Sequence, residues 1–273
     1  MFWKDVINIL RAVLDLAFPR SCIVCGRRLL SHEKHICIFC HSDLPFTYYS
    51  ARSHNPMSDK LNAMIERDVD ASGSELTSER YSYATALFFY NNSAGFKNIT
   101  KSLKYHGNIP AGKFFSSILG ERIAEAGLFD DVNMVIPVPL HFFRKCSRGY
   151  NQSEVIAKVL AEKLKAELVT DVLRRNRNTL SQTRLSVEDK YRNVMRAFSV
   201  NTAGLSSHIS KCRMRNVRPA SKVSEVGIHI LLVDDVFTTG ATLNACRYAL
   251  RKSLSDMRLC DCRISVVTLA FVG

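Results

Sequence analysis

Apolar positions along this chain fall into two kinds of stretch, and the two kinds alternate. Ser82–Tyr90, Val132–Val138, Ile228–Phe237 and Arg263–Phe271 are strand-length and nearly continuous in apolar residues over their centres. Runs of that kind suit strands buried on both faces of a parallel sheet. Between them, Ala94–Tyr105, Pro110–Ala126, Asn151–Lys165 and Gly240–Lys252 carry apolar residues at three- and four-residue spacing, as helices do, with Asn151 or Ser153 placed to cap the third. The alternation predicts an α/β fold, a mostly parallel sheet flanked by helices. Residues 80–273 would form this domain. Ahead of it, 48–79 reads as a polar connection with one short helix around Met57–Arg67, and 1–47 as a separate small module. Thr202–Ser224 is Ser-rich and weakly periodic and reads as an insertion or mobile loop. There is no internal repeat.

The first eighteen residues carry Trp3, Val6, Ile7, Leu10, Val13, Leu14 and Ala17 at helical spacing. Lys4, Asp5, Arg11 and Asp15 interrupt them, so this segment predicts an amphipathic helix and not a membrane span, one that docks on the domain or, as the alternative, lies on a membrane surface. No small-residue cleavage site follows it. The expectation is a cytoplasmic protein.

Chemistry concentrates where Ile228–Phe237 ends. Ile230-Leu-Leu-Val233 leads into Asp234 and Asp235, then Val236, Phe237, and Thr238-Thr239-Gly240-Ala241-Thr242 opening a helix. Ligands of parallel sheets sit beyond the carboxyl ends of the strands. Ionised carboxylates only accept hydrogen bonds, so an adjacent pair can take those of two ribose hydroxyls. The Thr-rich turn supplies N–H groups and hydroxyls at a helix N-terminus, where an anion is favoured, and Gly240 permits the tight turn. No Gly-Lys-Ser/Thr or Gly-x-Gly-x-x-Gly occurs here, which excludes a Walker A loop and a dinucleotide fingerprint. The string from Val233 to Thr242 resembles the phosphoribosyl pyrophosphate (PRPP) motif of type I phosphoribosyltransferases.

Cys22-Ile-Val-Cys25 and Cys37-Ile-Phe-Cys40 are two Cys-x-x-Cys knuckles separated by eleven residues. Such a pair can close on one tetrahedral ion, and four thiolates leave no open position, which makes Cys22, Cys25, Cys37 and Cys40 a structural Zn²⁺ site. A thioredoxin-like redox pair comes once, between a strand and a helix, and not twice in a short segment. His32, His35 and His41 lie nearby, but the cysteines already fill the shell, so these read as surface histidines. Cys146, Cys212, Cys246, Cys260 and Cys262 lack ligand spacing.

Charge changes the picture of the partner. The chain has 273 residues, 47% hydrophobic, with 38 Lys and Arg against 25 Asp and Glu, a formal net charge of +13. That composition supports a packed core and points to a polyanionic partner or substrate. Arg174, Arg175, Arg177, Arg184 and Arg192, together with Lys190 and Arg196, oppose only Glu188 and Asp189. The first five are the candidate nucleic-acid contacts. Lys211, Arg213, Arg215, Arg218 and Lys222 form a second cluster.

Three further segments carry a family resemblance. Ile136-Pro-Val-Pro-Leu-His141 followed by Arg148-Gly-Tyr-Asn-Gln-Ser153, Ser181-Gln-Thr-Arg-Leu-Ser186 with Arg192-Asn-Val194 and Ala197-Phe198, and Lys101-Ser-Leu-Lys-Tyr-His-Gly107 resemble, together with the knuckles, the ComF family of competence-associated proteins. The chain departs from the family pattern at Lys190, where Arg is frequent, and in the length of Thr202–Ser224. The resemblance implies a type I phosphoribosyltransferase-like fold that binds PRPP with Mg²⁺. It implies that Asp234 and Asp235 hold the ribose as catalytic residues and that Thr238–Thr242 hold the 5′-phosphate. Backbone around Val138, Pro139 and Leu140 would meet the pyrophosphate, with Lys101, Arg144 and Arg148 as the nearest cations. It further implies single-stranded DNA as a partner, alongside other DNA-uptake proteins, in natural transformation. Two other functions fit the same residues: a metabolic phosphoribosyltransferase acting on a small acceptor, and a PRPP-sensing adaptor without enzymatic activity.

Overall fold

The computed structural model describes residues 19–72, 80–90, 95–176, 197–215, 227–259 and 261–273. The expected helix over 1–18, Cys260, and the basic residues Arg177, Arg184, Lys190, Arg192, Arg196, Arg218 and Lys222 lie outside them.

The centre is a five-stranded, wholly parallel sheet. Its strands are β1 (Ala84–Phe89), β2 (Met134–Pro137), β3 (Glu167–Leu168), β6 (Ile228–Phe237) and β7 (Cys262–Phe271), in the order β1-β7-β6-β2-β3. A separate antiparallel pair joins β4 (Leu173–Arg175) to β5 (Phe198–Val200). The helices are α1 (Ile38–Ser42), α2 (Pro56–Ser72), α3 (Lys97–Tyr105), α4 (Ile109–Ala126), α5 (Phe142–Arg148), α6 (Gln152–Leu164), α7 (Thr202–Arg215) and α8 (Ala241–Asp256). The strand and helix expectations hold with shifts of a few residues, as the fraying of element ends allows.

Both faces of the sheet are covered, which is why its central strands read as unbroken apolar runs. Met57, Leu61 and Ile65 of α2, Leu205 and Ile209 of α7, and Leu243, Leu250 and Leu254 of α8 pack on one face with Ile230 and Leu232. Ile99 and Leu103 of α3, Phe115, Leu119 and Ile123 of α4, and Ile156 and Leu160 of α6 pack on the other with Leu231 and Val233. This is the mostly parallel, helix-flanked architecture the alternation predicts.

Two segments differ from expectation. Thr202–Arg215 is helical and buries Leu205, Ile209 and Cys212, spaced four and three residues apart. Thr202, Ser206, Ser207, His208 and Ser210 dilute the apolar signal, but three large side chains on one face suffice to seat the helix. Residues 216–226 of the same stretch lie outside the described residues. The short helix in the connection is also longer than its apolar pattern, Pro56–Ser72. Asn55 starts it by accepting from the N–H groups of Met57 and Ser58, both at 3.0 Å.

The cysteine module shares a core with the sheet. Leu29, Ile36 and Leu44 belong to the layer that contains Phe115 and Leu119. Main-chain bonds from Thr47 N to Leu87 O (3.2 Å) and from Phe89 N to Pro45 O (2.8 Å) tie its exit to β1. Gly95 must stay small, because a Cβ there would lie 2.2 Å from the Val24 carbonyl oxygen.

Candidate functional site

β6 carries the acid pair to the carboxyl edge of the sheet. Ile228 to Val233 are all buried, Asp234 opens partly to solvent, and Asp235 is buried. Neighbouring strand residues ordinarily face opposite sides. Here the alternation changes phase: Leu232 and Phe237 belong to one layer, while Val233 and Val236 belong to the other. The change falls on Asp234–Asp235, and partners from the α3/α6 side reach both carboxylates. Ser153 Oγ, in the first turn of α6, donates to Asp234 Oδ1 at 2.8 Å, and Asp235 N donates to the same oxygen at 2.9 Å. Lys104 Nζ of α3 stands 2.8 Å from Asp235 Oδ2. That oxygen is enclosed, and the Lys104 ammonium is the partner that meets it there.

The electrostatics follow. Burial, and then the neighbouring Asp235 charge, push the Asp234 carboxyl up to about 7. Burial alone would lower the Lys104 ammonium, but the Asp235 and Asp234 carboxylates outweigh it and raise it above its ordinary value.

The loop after β2 lies against this pair. Pro137 is in register with Val233, and Val138 N donates to Val233 O at 2.8 Å. Asn151, the cap of α6, accepts from Ser153 N and donates from Nδ2 to Val138 O at 3.0 Å, fixing Val138–Leu140 beside Asp234. On the other side, Thr238 and Thr239 are exposed, and Gly240 caps α8 with φ 81° and no side chain of its own, while Ala241 N, the first N–H of the helix, donates to Thr239 Oγ1 at 3.4 Å. A Cβ at Gly240 would lie 2.6 Å from the Phe237 ring, so the turn requires glycine for space as well as backbone. Lys60 Nζ of α2 donates to Thr238 O at 3.2 Å. Val138–Leu140, Asp234–Asp235 and Thr238–Thr242 thus converge on one edge, at the point where the strand order turns to either side of β6.

The cations are distributed differently from the sequence expectation. Lys101 is exposed, roughly 160° round α3 from Leu103, and Lys104 is the lysine in contact with the acids. Arg148 Nη1 donates to Gln152 Oε1 at 2.9 Å and its guanidinium lies over the Tyr105 ring at 5.3 Å. Arg144 is exposed. Of the arginines assigned to nucleic acid, Arg174 is exposed. Arg175 turns inward, its guanidinium over Phe198 at 5.3 Å. Burial, then Arg144 nearby, lower it below the usual arginine range, while Asp234 acts in the opposite sense. Lys104, Ser153, Lys60 and the inward turn of Arg175 were not legible as site features. The nearest signal for Lys104 was its place directly after the apolar Leu103.

The four knuckle sulfurs lie within 4.8 Å of one another, and Cys25 Sγ and Cys37 Sγ are 3.8 Å apart. A tetrahedron of ~2.3 Å zinc–sulfur bonds has edges of about 3.8 Å, so the cluster fits a four-coordinate soft metal such as zinc. Cys37 N donates to Cys22 Sγ and Cys40 N to Cys37 Sγ, both at 3.4 Å. Burial raises the Cys22 thiol, but N–H groups of Cys25, Cys37 and Val24 outweigh it and bring it down to about 7. Glu33, unnoticed in the sequence, organises the intervening loop by accepting from Leu30 N (2.7 Å), Ile38 N (2.8 Å) and Arg27 Nη2 (3.0 Å). Those N–H donors hold its carboxyl below the usual range. Of the nearby histidines, His32 is exposed, whereas His35 packs on Phe114 and His41 on Phe46. The flanking rings make them packing residues more than surface ones.

Comparison with curated proteins finds 35% identity over 118 residues with Competence protein F of Haemophilus influenzae, covering 43% of this chain and 44% of that protein. Over those 118 residues the chain is homologous to Competence protein F. It also matches DNA utilization protein YhgH of Escherichia coli K12 and of Salmonella typhi, each at 28% identity over 131 residues, 47% of this chain and 48% of theirs. Each match thus spans less than half of the relative it aligns with. No family model matches. Among solved structures, TT1426 from Thermus thermophilus aligns over 59% of this chain and 83% of its own, at 18% identity and a TM-score of 0.28. Among the described residues, no helix is long and apolar enough to cross a membrane.

Proposed function

We propose that this protein binds PRPP with magnesium at the β6–α8 edge and acts in DNA uptake by holding single-stranded DNA on its basic surface. The observation that carries the ligand half is the Asp234–Asp235 pair at the carboxyl end of β6, held by Ser153 and Lys104 with Asp234 partly open to solvent. A ribose would offer the pair two hydroxyls that donate to Asp234 and Asp235. Its 5′-phosphate would meet the N–H groups of Thr239–Thr242 at the start of α8. The donor set also suits magnesium, which takes oxygen ligands and keeps several waters, with the ligand's own phosphates supplying part of the shell. In a transfer reaction the acid pair would offset positive charge developing on the sugar ring, and Lys104 and the Val138–Leu140 backbone would face the departing pyrophosphate.

The DNA half is supported by the competence and DNA-utilization relatives and by the net charge of +13. Among the described residues Arg174 carries the cluster assigned to it. A metabolic transferase would use the same edge but gives no part to that charge excess. Calorimetric titration with PRPP–Mg²⁺ and anisotropy of a labelled single-stranded oligonucleotide, on one zinc-loaded sample, test the two halves separately. Binding of both is expected, and failure of either removes that half.

A further inference from the structure

The helix α5 contributes nothing to either core layer: none of its residues is buried. Phe142 and Phe143 stand 69% and 67% exposed, side by side. Scattered exposed apolar residues are ordinary, but adjacent phenylalanines on a helix that packs no face inward mark a surface something else covers. The rings meet edge-on at 6.0 Å, and His141 leans on Phe143 at 5.4 Å. Arg144 and Lys145 follow directly and are exposed. Tyr105, 68% exposed, adds a third ring beneath Arg148. Arg144 also lies in electrostatic reach of Arg175, so this surface adjoins the β4 arginines.

Resting on the DNA reading above, we infer that α5 is the platform for the strand: Phe142 and Phe143 stack on bases while Lys145, with Arg144 beside it, meets phosphates. Two aromatic rings followed directly by two cations on one short helix match a ligand that is itself both flat-faced and anionic. A protein groove or a membrane surface would favour an apolar face with its charges set apart. Duplex DNA keeps its base faces inside the stack, so the platform selects single strands. The platform adjoins the Asp234–Asp235 edge, because α5 begins just after Val138–Leu140.

The test compares the wild type with Phe142→Ala/Phe143→Ala on a labelled single-stranded oligonucleotide and on the same length made of abasic sites. Alanine is a better helix former and α5 buries no residue, so the variant should fold, with an unchanged melting temperature. The expected result is about tenfold or more weaker binding of the normal oligonucleotide by the variant. On the abasic one the two proteins should match, and PRPP–Mg²⁺ titrations should coincide. Equal affinity of both proteins for the normal oligonucleotide, or an equal loss on the abasic one, overturns the platform and leaves DNA binding elsewhere. A parallel loss of PRPP affinity also overturns it, as does loss of anionic-vesicle binding with DNA binding retained. If the wild type binds no oligonucleotide, the DNA reading itself fails.

Discussion

Lys104 Nζ lies 2.8 Å from Asp235 Oδ2, and the carboxylate it meets is 4% exposed. The contact joins α3 to the end of β6 and holds the acid pair in place without a ligand. Removing one member of a buried pair leaves the other charge uncompensated, which costs more than the pair contributes.

Lys104→Met keeps most of the apolar stem and removes the charge. It is expected to lower stability by roughly 2–4 kcal/mol at pH 8, a little under the fully buried case because Lys104 is 26% exposed. The loss should shrink at pH 5, where one acid can be protonated. Urea denaturation at the two pH values checks this, and an equal loss at both would mean that packing and not charge is at stake.

Asp234 predicts a second pH effect. Its folded carboxyl sits near 7 against an ordinary 3.8, so the folded state binds the extra proton between those values. Stability from this group is present below pH 4 and falls as pH rises towards 7. Asp234→Asn retains an Oδ1 acceptor for Ser153 and Asp235 N while removing the titration. It should be neutral at pH 4 and stabilising at pH 8 by on the order of 2–4 kcal/mol. A variant less stable than wild type at pH 8 would contradict the assignment.

For the ligand, Asp235→Ala is expected to weaken PRPP–Mg²⁺ by about one to two decades, roughly 1.5–3 kcal/mol. Calorimetry decides. Unchanged affinity in the double Asp→Ala variant would make the acid pair structural.

The knuckles should hold one zinc per chain, measured by elemental analysis of freshly purified protein. Cys22→Ser should lose it, and a chelator should lower the melting temperature, since the cysteine loop shares a core with α4. Full zinc content in Cys22→Ser would refute the four-cysteine shell.

Single-stranded DNA affinity should fall log-linearly with salt, with a slope near −0.7 per phosphate neutralised. Arg174→Glu/Arg175→Glu should flatten that slope. Arg174 is the exposed member and Arg175 the inward one, so Arg174→Glu alone should carry most of the change in anisotropy titrations.

Patterns that repeat within a few residues were legible beforehand. Two Cys-x-x-Cys pairs state a ligand set, and Ile230 to Thr242 states a strand, an acid pair and a helix start, because each depends on neighbours in sequence. The helix Thr202–Arg215 is hard to see in the sequence because three buried side chains hold it among polar ones. Glu33 was missed because a carboxylate that gathers N–H groups from Leu30 and Ile38 looks like any loop acid until the loop closes.

By itself, then, the sequence determined that this chain builds a parallel sheet between helices, where its acids leave that sheet, and which thiols gather. These follow from periodicity and local turn chemistry. Tertiary structure alone decided that Lys104 and not Lys101 reaches the acids, that Ser153 completes Asp234, that Arg175 turns in, and that α5 buries none of its residues. Those outcomes depend on the rotation of one helix against another and on the phase change at Asp234–Asp235. Contacts between residues 81 and 131 positions apart are set by packing, which no local pattern encodes.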